Sequence, residues 1–120
     1  MEWFDSSDPK NTKFTIKNRK IDDNTTKAIA CILPFLLDIN EVELRSTGIN
    51  DIVSGAIIFA IFANTSIKRL TITYNHLRGV FGRTLSSLMK LNQDKIVFLN
   101  IMGSINNQEY MVHISKELAG

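Results

Sequence analysis

Apolar positions along this chain repeat one spaced pattern three times. Phe14, Ile16 and Ile21 recur as Val42, Leu44 and Ile49, and again as Leu70, Ile72 and Leu77, each copy 28 residues after the last with no insertion or deletion. Alternate apolar positions mark a short strand with one buried face, and the stretch between copies has room for a turn and a helix. The pattern predicts strand-turn-helix units at about residues 11–38, 39–66, 67–95 and 96–120, within one domain spanning 1–120. Residues 1–10 are predicted to form an N-terminal cap or arm, with Trp3 and Phe4 docked on the first unit. One such unit cannot bury its own apolar face, so the core must form between stacked neighbours.

The helical segments carry their own signals. Asp22-Asp23-Asn24-Thr25 supplies cap chemistry, after which Ala28, Ile29, Ile32, Leu33 and Leu36 recur at helical spacing and predict a buried stripe. Pro34 removes a backbone donor late in that helix and is expected to kink or end it. In the second unit Asn50-Asp51 marks the helix entry, Ala56, Ile57, Ala60 and Ile61 the inner face, and Asn64-Thr65-Ser66 the break. Phe81, Leu85, Leu88 and Met89 mark the third helix, with Gly79 and Gly82 as the loop and opening turn before it. A last helix is predicted from about Gln108 to Leu118.

The fourth strand, Ile96 to Met102, needs a choice of register. An uninterrupted repeat would place Asn100 at a core position, at a cost of about 1 to 3 kcal/mol if unpartnered. One inserted residue instead aligns Ile96, Leu99 and Ile101 with Ile67, Leu70 and Ile72, and that register is preferred.

Residues 67–77, IKRLTITYNHL, place Ile67, Leu70, Ile72, Asn75 and Leu77 on the spacing LxxLxLxxNxL. This resembles the leucine-rich repeat. Ala56, Ile57, Ala60, Ile61, Asn64 and Ser66, with Leu85, Leu88, Met89 and Asn92 in the next unit, are similar to the helical half of its ribonuclease-inhibitor type. The resemblance implies an α/β fold, a short right-handed solenoid with a parallel sheet on the concave face and helices on the convex face, and a role in protein binding. Thr47 and Arg19 replace the turn asparagine in the second and first units, so those turns are expected to be looser or differently bonded.

Strand alternation leaves ordered rows of side chains off the core: Lys13, Thr15 and Lys17; Glu41, Glu43 and Arg45; Arg69, Thr71, Thr73 and Tyr74; then Phe98, Asn100 and Met102, with Val97 near the rim. The rows pass from basic through mixed charge to apolar and aromatic. Arginine and aromatic side chains dominate binding hot spots, so Arg45, Arg69, Tyr74, Phe98 and Met102 are the expected partner-binding residues.

Fourteen basic and twelve acidic residues leave a net charge of +2, which points to neither nucleic acid nor an anionic membrane. No apolar run reaches the ~20 residues of a membrane helix, and the N-terminus lacks a secretory pattern, so cytoplasmic residence is expected. The lone Cys31, in an apolar neighbourhood, is expected to be a buried structural thiol, and His76 and His113 are expected at the surface. No catalytic, metal or cofactor site is indicated, and the expected function is a non-enzymatic scaffold for a protein partner. Self-association through an open solenoid end is a further expectation. A second reading takes Asp51 to Gly55, DIVSG, as similar to the switch segment of STAS domains, regulatory domains of the anti-sigma-factor antagonist type, with Ser54 phosphorylated at a helix N-terminus.

Overall fold

Among the described residues, each run with apolar residues at alternate positions forms a strand, and each run with helical spacing forms a helix. The computed structural model describes residues 12–75 and 77–103 of the 120-residue chain. The order is β1 (Lys13–Lys17), α1 (Asp23–Ile32), a 3-10 turn (Leu33–Phe35), β2 (Glu41–Arg45), α2 (Asp51–Ala63), β3 (Arg69–Thr73), α3 (Gly79–Leu91) and β4 (Phe98–Asn100). The N-terminal arm, both histidines and the final helix of the sequence reading lie outside the described residues.

The strands form one parallel sheet in the order β1-β2-β3-β4, and the helices neighbour one another in the same sequence. Phe14, Val42, Leu70 and Leu99 pair across the four strands, so the inserted register of β4 is the one adopted. These residues, with Ile16, Leu44, Ile72 and Ile101, join the helices' Ile29, Ile57, Ile61, Phe81 and Leu85 in a continuous core. At about 1.5 to 3 kcal/mol for each large apolar side chain fully buried, this layer is the dominant favourable term.

The turn after each strand repeats as faithfully as the strand. Asn18, Ser46 and Tyr74 have φ of 54°, 53° and 55°, and Gly103 continues the series at 71°. This left-handed residue turns the chain away from the sheet, and its amide bonds the next unit: Asn18 to the Arg45 carbonyl, Ser46 to that of Thr73, and Tyr74 to that of Met102. Two buried asparagines satisfy further backbone groups. Asn75 donates to the carbonyls of Leu44 and Thr73 while its Oδ1 accepts from the amide and hydroxyl of Thr47. Thr47, standing where the asparagine would be, is thus differently bonded rather than loose. Asn64 likewise donates to the carbonyls of Leu33 and Leu36 and accepts from the amides of Ser66 and Ile67.

Helix ends follow their cap residues. The Asp22 carboxylate accepts from the Thr25 amide, a bond that holds its pKa below the ordinary value. Asn50 accepts from Ile52 and Val53. Pro34 sits in the 3-10 turn that ends α1, as its missing donor requires. Gly79 opens α3, and Gly82 lies buried in its first turn.

Several burial expectations are corrected. Cys31 is exposed: it lies two residues, about 200° of helix, from the buried Ile29, on the arc of α1 that faces solvent. Ala28 and Ile32 are also exposed, because α1 buries the arc of Thr26 and Ile29 that continues into Leu33. Ala56 faces out as well, while Val53 and Ile58 join Ile57, Ala60 and Ile61 inside, since α2 packs against both α1 and α3.

Candidate interaction face

The sheet face opposite the core presents the predicted rows, and the register converts them into rungs. Lys13, Glu41, Arg69 and Phe98 pair in one rung; Thr15, Glu43, Thr71 and Asn100 in the next; Lys17, Arg45 and Thr73 in the third. Cross-strand neighbours on one face are close enough to interact directly, and the first rung is joined from end to end.

In the first rung the Glu41 carboxylate lies between two cations, 3.6 Å from Lys13 Nζ and 3.4 Å from Arg69 Nε. Arg69 in turn stacks its guanidinium over the Phe98 ring, 4.2 Å from the centroid. In the second, Glu43 accepts from the Thr15 hydroxyl at 3.0 Å and lies 3.3 Å and 3.5 Å from the ammonium groups of Lys13 and Lys17. Partial burial opposes ionisation of Glu43, but the hydrogen bond from Thr15 and the two lysines outweigh it and hold the carboxyl below its ordinary pKa. At the turn edge Arg45 lies over the Tyr74 ring, 5.5 Å from the centroid, and the Tyr74 hydroxyl donates to Met102 Sδ at 3.4 Å.

The five residues singled out from sequence therefore fall into two clusters near opposite ends of the strands, Arg45–Tyr74–Met102 and Arg69–Phe98. All five are exposed. Their neighbours Thr71 and Thr73 are buried, against expectation: short side chains in rows flanked by Glu43, Arg45 and Asn100 sit below the level of the longer ones. The face thus divides into neutralised ion pairs among Lys13, Lys17, Glu41 and Glu43 on β1 and β2, and guanidinium planes, rings and a thioether that run from Arg45 at the end of β2 across β3 and β4. Sequence alternation placed Glu41 in the row but did not reveal its part in aiming Arg69, because that depends on the partner strand.

Tyr74 adds a conformational signal. A bulky residue in the left-handed region is rare, and such strain persists where surrounding structure enforces it. Here the backbone bond to Met102 and the ring contacts with Arg45 and Met102 hold it. The same ring makes Gly103 necessary, since a Cβ there would lie 2.6 Å from a Tyr74 ring carbon and the φ is positive.

Ser54 does not suit a phosphorylation switch. It is buried in α2 and donates its hydroxyl to the Asp51 carbonyl at 2.8 Å, and the strands run in sequential order. Among the described residues no three His, Cys, Asp or Glu side chains are grouped to hold a metal, and no helix is long and apolar enough to cross a membrane.

No protein family's sequence profile matches the chain, and no curated protein sequence matches it. Among solved structures, the fold is similar to actin-binding site 2 of leiomodin-1, with a TM-score of 0.78 and 22% identity over 92% of this chain. The chain spans 65% of that structure. It is also similar to the tropomodulin C-terminal domain of Caenorhabditis elegans, with a TM-score of 0.60, 15% identity, and coverage of 90% of this chain and 82% of the other. These likenesses correct the assignment to leucine-rich repeats of ribonuclease-inhibitor type. The spacing of Ile67, Leu70, Ile72, Asn75 and Leu77 reports a buried strand followed by an asparagine-bonded turn, and that geometry alone does not select that family.

Proposed function

We propose that this chain is a non-enzymatic protein-binding module of the cytoplasm, a short solenoid that engages its partner through the sheet face from Arg45 at the end of β2 across β3 and β4. The observation that carries this reading is a pair of exposed clusters on one sheet face, Arg69 with Phe98 and Arg45 with Tyr74 and Met102, each already ordered by its own contacts. Binding costs side-chain entropy, and side chains held by neighbours before contact lose less of it. Arg69, aimed by Glu41 and stacked on Phe98, offers a rigid donor fork beside an aromatic surface. The likeness to an actin-binding site of leiomodin-1 makes actin the first partner to test.

The test is co-sedimentation with actin filaments, together with fluorescence titration of monomeric actin. The wild-type chain is expected to bind, and truncation of the two apolar members, Phe98→Ala with Met102→Ala, to weaken binding by about tenfold or more while the melting temperature stays close to wild type. Tyr74→Asn is expected to do the same, because asparagine tolerates the left-handed turn but lacks the ring. Absence of binding to either form of actin would reject actin, and binding unchanged by all three substitutions would reject this face.

A further inference from the structure

Among the described helices α2 alone has a helix packed on each flank, and its solvent side is apolar throughout. Its two polar residues do not face out: Asp51 gives its carboxylate to the N-terminus of α3, and Ser54 is buried. Ile52 is 84% exposed and Phe59 60% exposed, with Ala56 and Ala63 exposed beside them and Gly55 and Phe62 partly covered. The flanking helices extend this surface at their ends through Phe35, 80% exposed, and through Val80 and Leu91.

The stripe has the periodicity of a helix-pairing seam. Ile52, Gly55, Phe59 and Phe62 follow alternating steps of three and four, the spacing of the a and d positions of a heptad. Ile52 and Phe59 stand as two knobs one heptad apart, and Gly55 leaves open space between them, since a Cβ placed there meets nothing beyond its own helix backbone and chain neighbours within 4 Å. From Ile52 to Ala63 the seam runs about 16 Å, three helical turns. A second helix laid along it would fill the hole beside Gly55 with its own apolar side chain. A flat apolar phase would touch the knobs and leave the hole empty.

Charge selects among helical occupants. Beyond their first turns α1, α2 and α3 carry Lys27, Arg83 and Lys90 and no acidic residue, and both lysines are exposed. The first-turn acids are engaged within the fold, Asp23 by the Asn50 amide and Asp51 by α3. A second copy of this chain would bring lysine against lysine across the contact. We propose that the outer face of α2 is a docking site for an amphipathic partner helix whose apolar stripe is bordered by acidic residues, on the side of the molecule opposite the strand face.

The test uses the full chain and a fluorescent three-heptad peptide with Leu at a and d and Glu at e and g, read by anisotropy. Controls are a scrambled peptide of the same composition, a version with Lys at e and g, and phosphatidylserine vesicles. The Glu peptide is expected to bind, the scrambled and Lys peptides to bind at least about tenfold more weakly, and Phe59→Glu to abolish binding. Gly55→Leu, which fills the hole from a solvent-facing site, is expected to weaken binding about tenfold with the melting temperature maintained. Phe98→Ala is expected to leave it unchanged. Equal binding of scrambled and designed peptides, or indifference to Phe59→Glu and Gly55→Leu, would overturn the proposal. So would vesicle capture dependent on Phe59 without peptide binding, or a concentration-dependent mass that Phe59→Glu abolishes, the first assigning the face to a membrane and the second to another copy of the chain.

Discussion

Single side chains carry the links between units. Asn75 is buried and serves Leu44, Thr73 and Thr47 at once, so Asn75→Ala would leave several buried backbone groups without partners. At about 1 to 3 kcal/mol for each unsatisfied buried group, partly relieved by water, the expected loss is about 2 to 4 kcal/mol, measured by urea denaturation. Glu43 gives a pH-dependent effect. Its pKa is depressed in the fold by Thr15, Lys13 and Lys17 against the opposing effect of burial. Its contribution is therefore fully present above the ordinary glutamate pKa and is lost as pH falls through the depressed one. Glu43→Gln is expected to lower stability modestly at neutral pH, with the gap to wild type closing in the acid range where both carboxyl and amide are neutral. A gap that persists unchanged into acid would assign the effect to packing instead.

At the scale of elements, each helix differs from the others in how it is closed and how it is covered. Helices α1 and α2 have their own cap residues, Asp22 and Asn50, whereas α3 begins at Arg78-Gly79 with no capping side chain of its own. Asp51 supplies the missing acceptors from the previous unit, receiving the amides of Arg78, Val80 and Phe81 at 2.8 to 2.9 Å. Carboxylate at a helix N-terminus is favoured both by these bonds and by the helix dipole. Asp51→Ala is expected to cost about 1 to 2 kcal/mol and to raise amide exchange at the start of α3 while α1 is unaffected. Equal protection losses in α1 and α3 would show a global effect rather than a lost cap.

In the whole molecule, every strand contacts only adjacent strands and every helix only adjacent helices among the described elements. Energies in such an arrangement are close to sums over neighbours, so units flanked on both sides are held more firmly than those at an edge. Hydrogen exchange is expected to be slowest in β2, β3 and α2 and faster in β1 and β4, the three-residue β4 most of all. Uniform protection across the four strands would contradict nearest-neighbour stabilisation. The molecule also presents two faces of different chemistry, stacked guanidinium and aromatic groups on the sheet and an apolar seam on α2.

The sequence by itself determined the repeat length, the strand positions, the insertion before β4, the entries of α1 and α2, and the row on which Arg45, Arg69, Tyr74, Phe98 and Met102 stand. Those features follow from local periodicity and cap chemistry, which need no knowledge of neighbours. Tertiary structure decided what depends on packing across units. Cys31 and Ala56 face solvent because burial is set by which arc meets the next layer, and an apolar neighbourhood in sequence does not report it. The capping of α3 by Asp51, the bonding of Thr47 to Asn75 and the stacking of Arg69 on Phe98 join residues roughly one repeat apart, and only the register of the folded sheet brings them within reach.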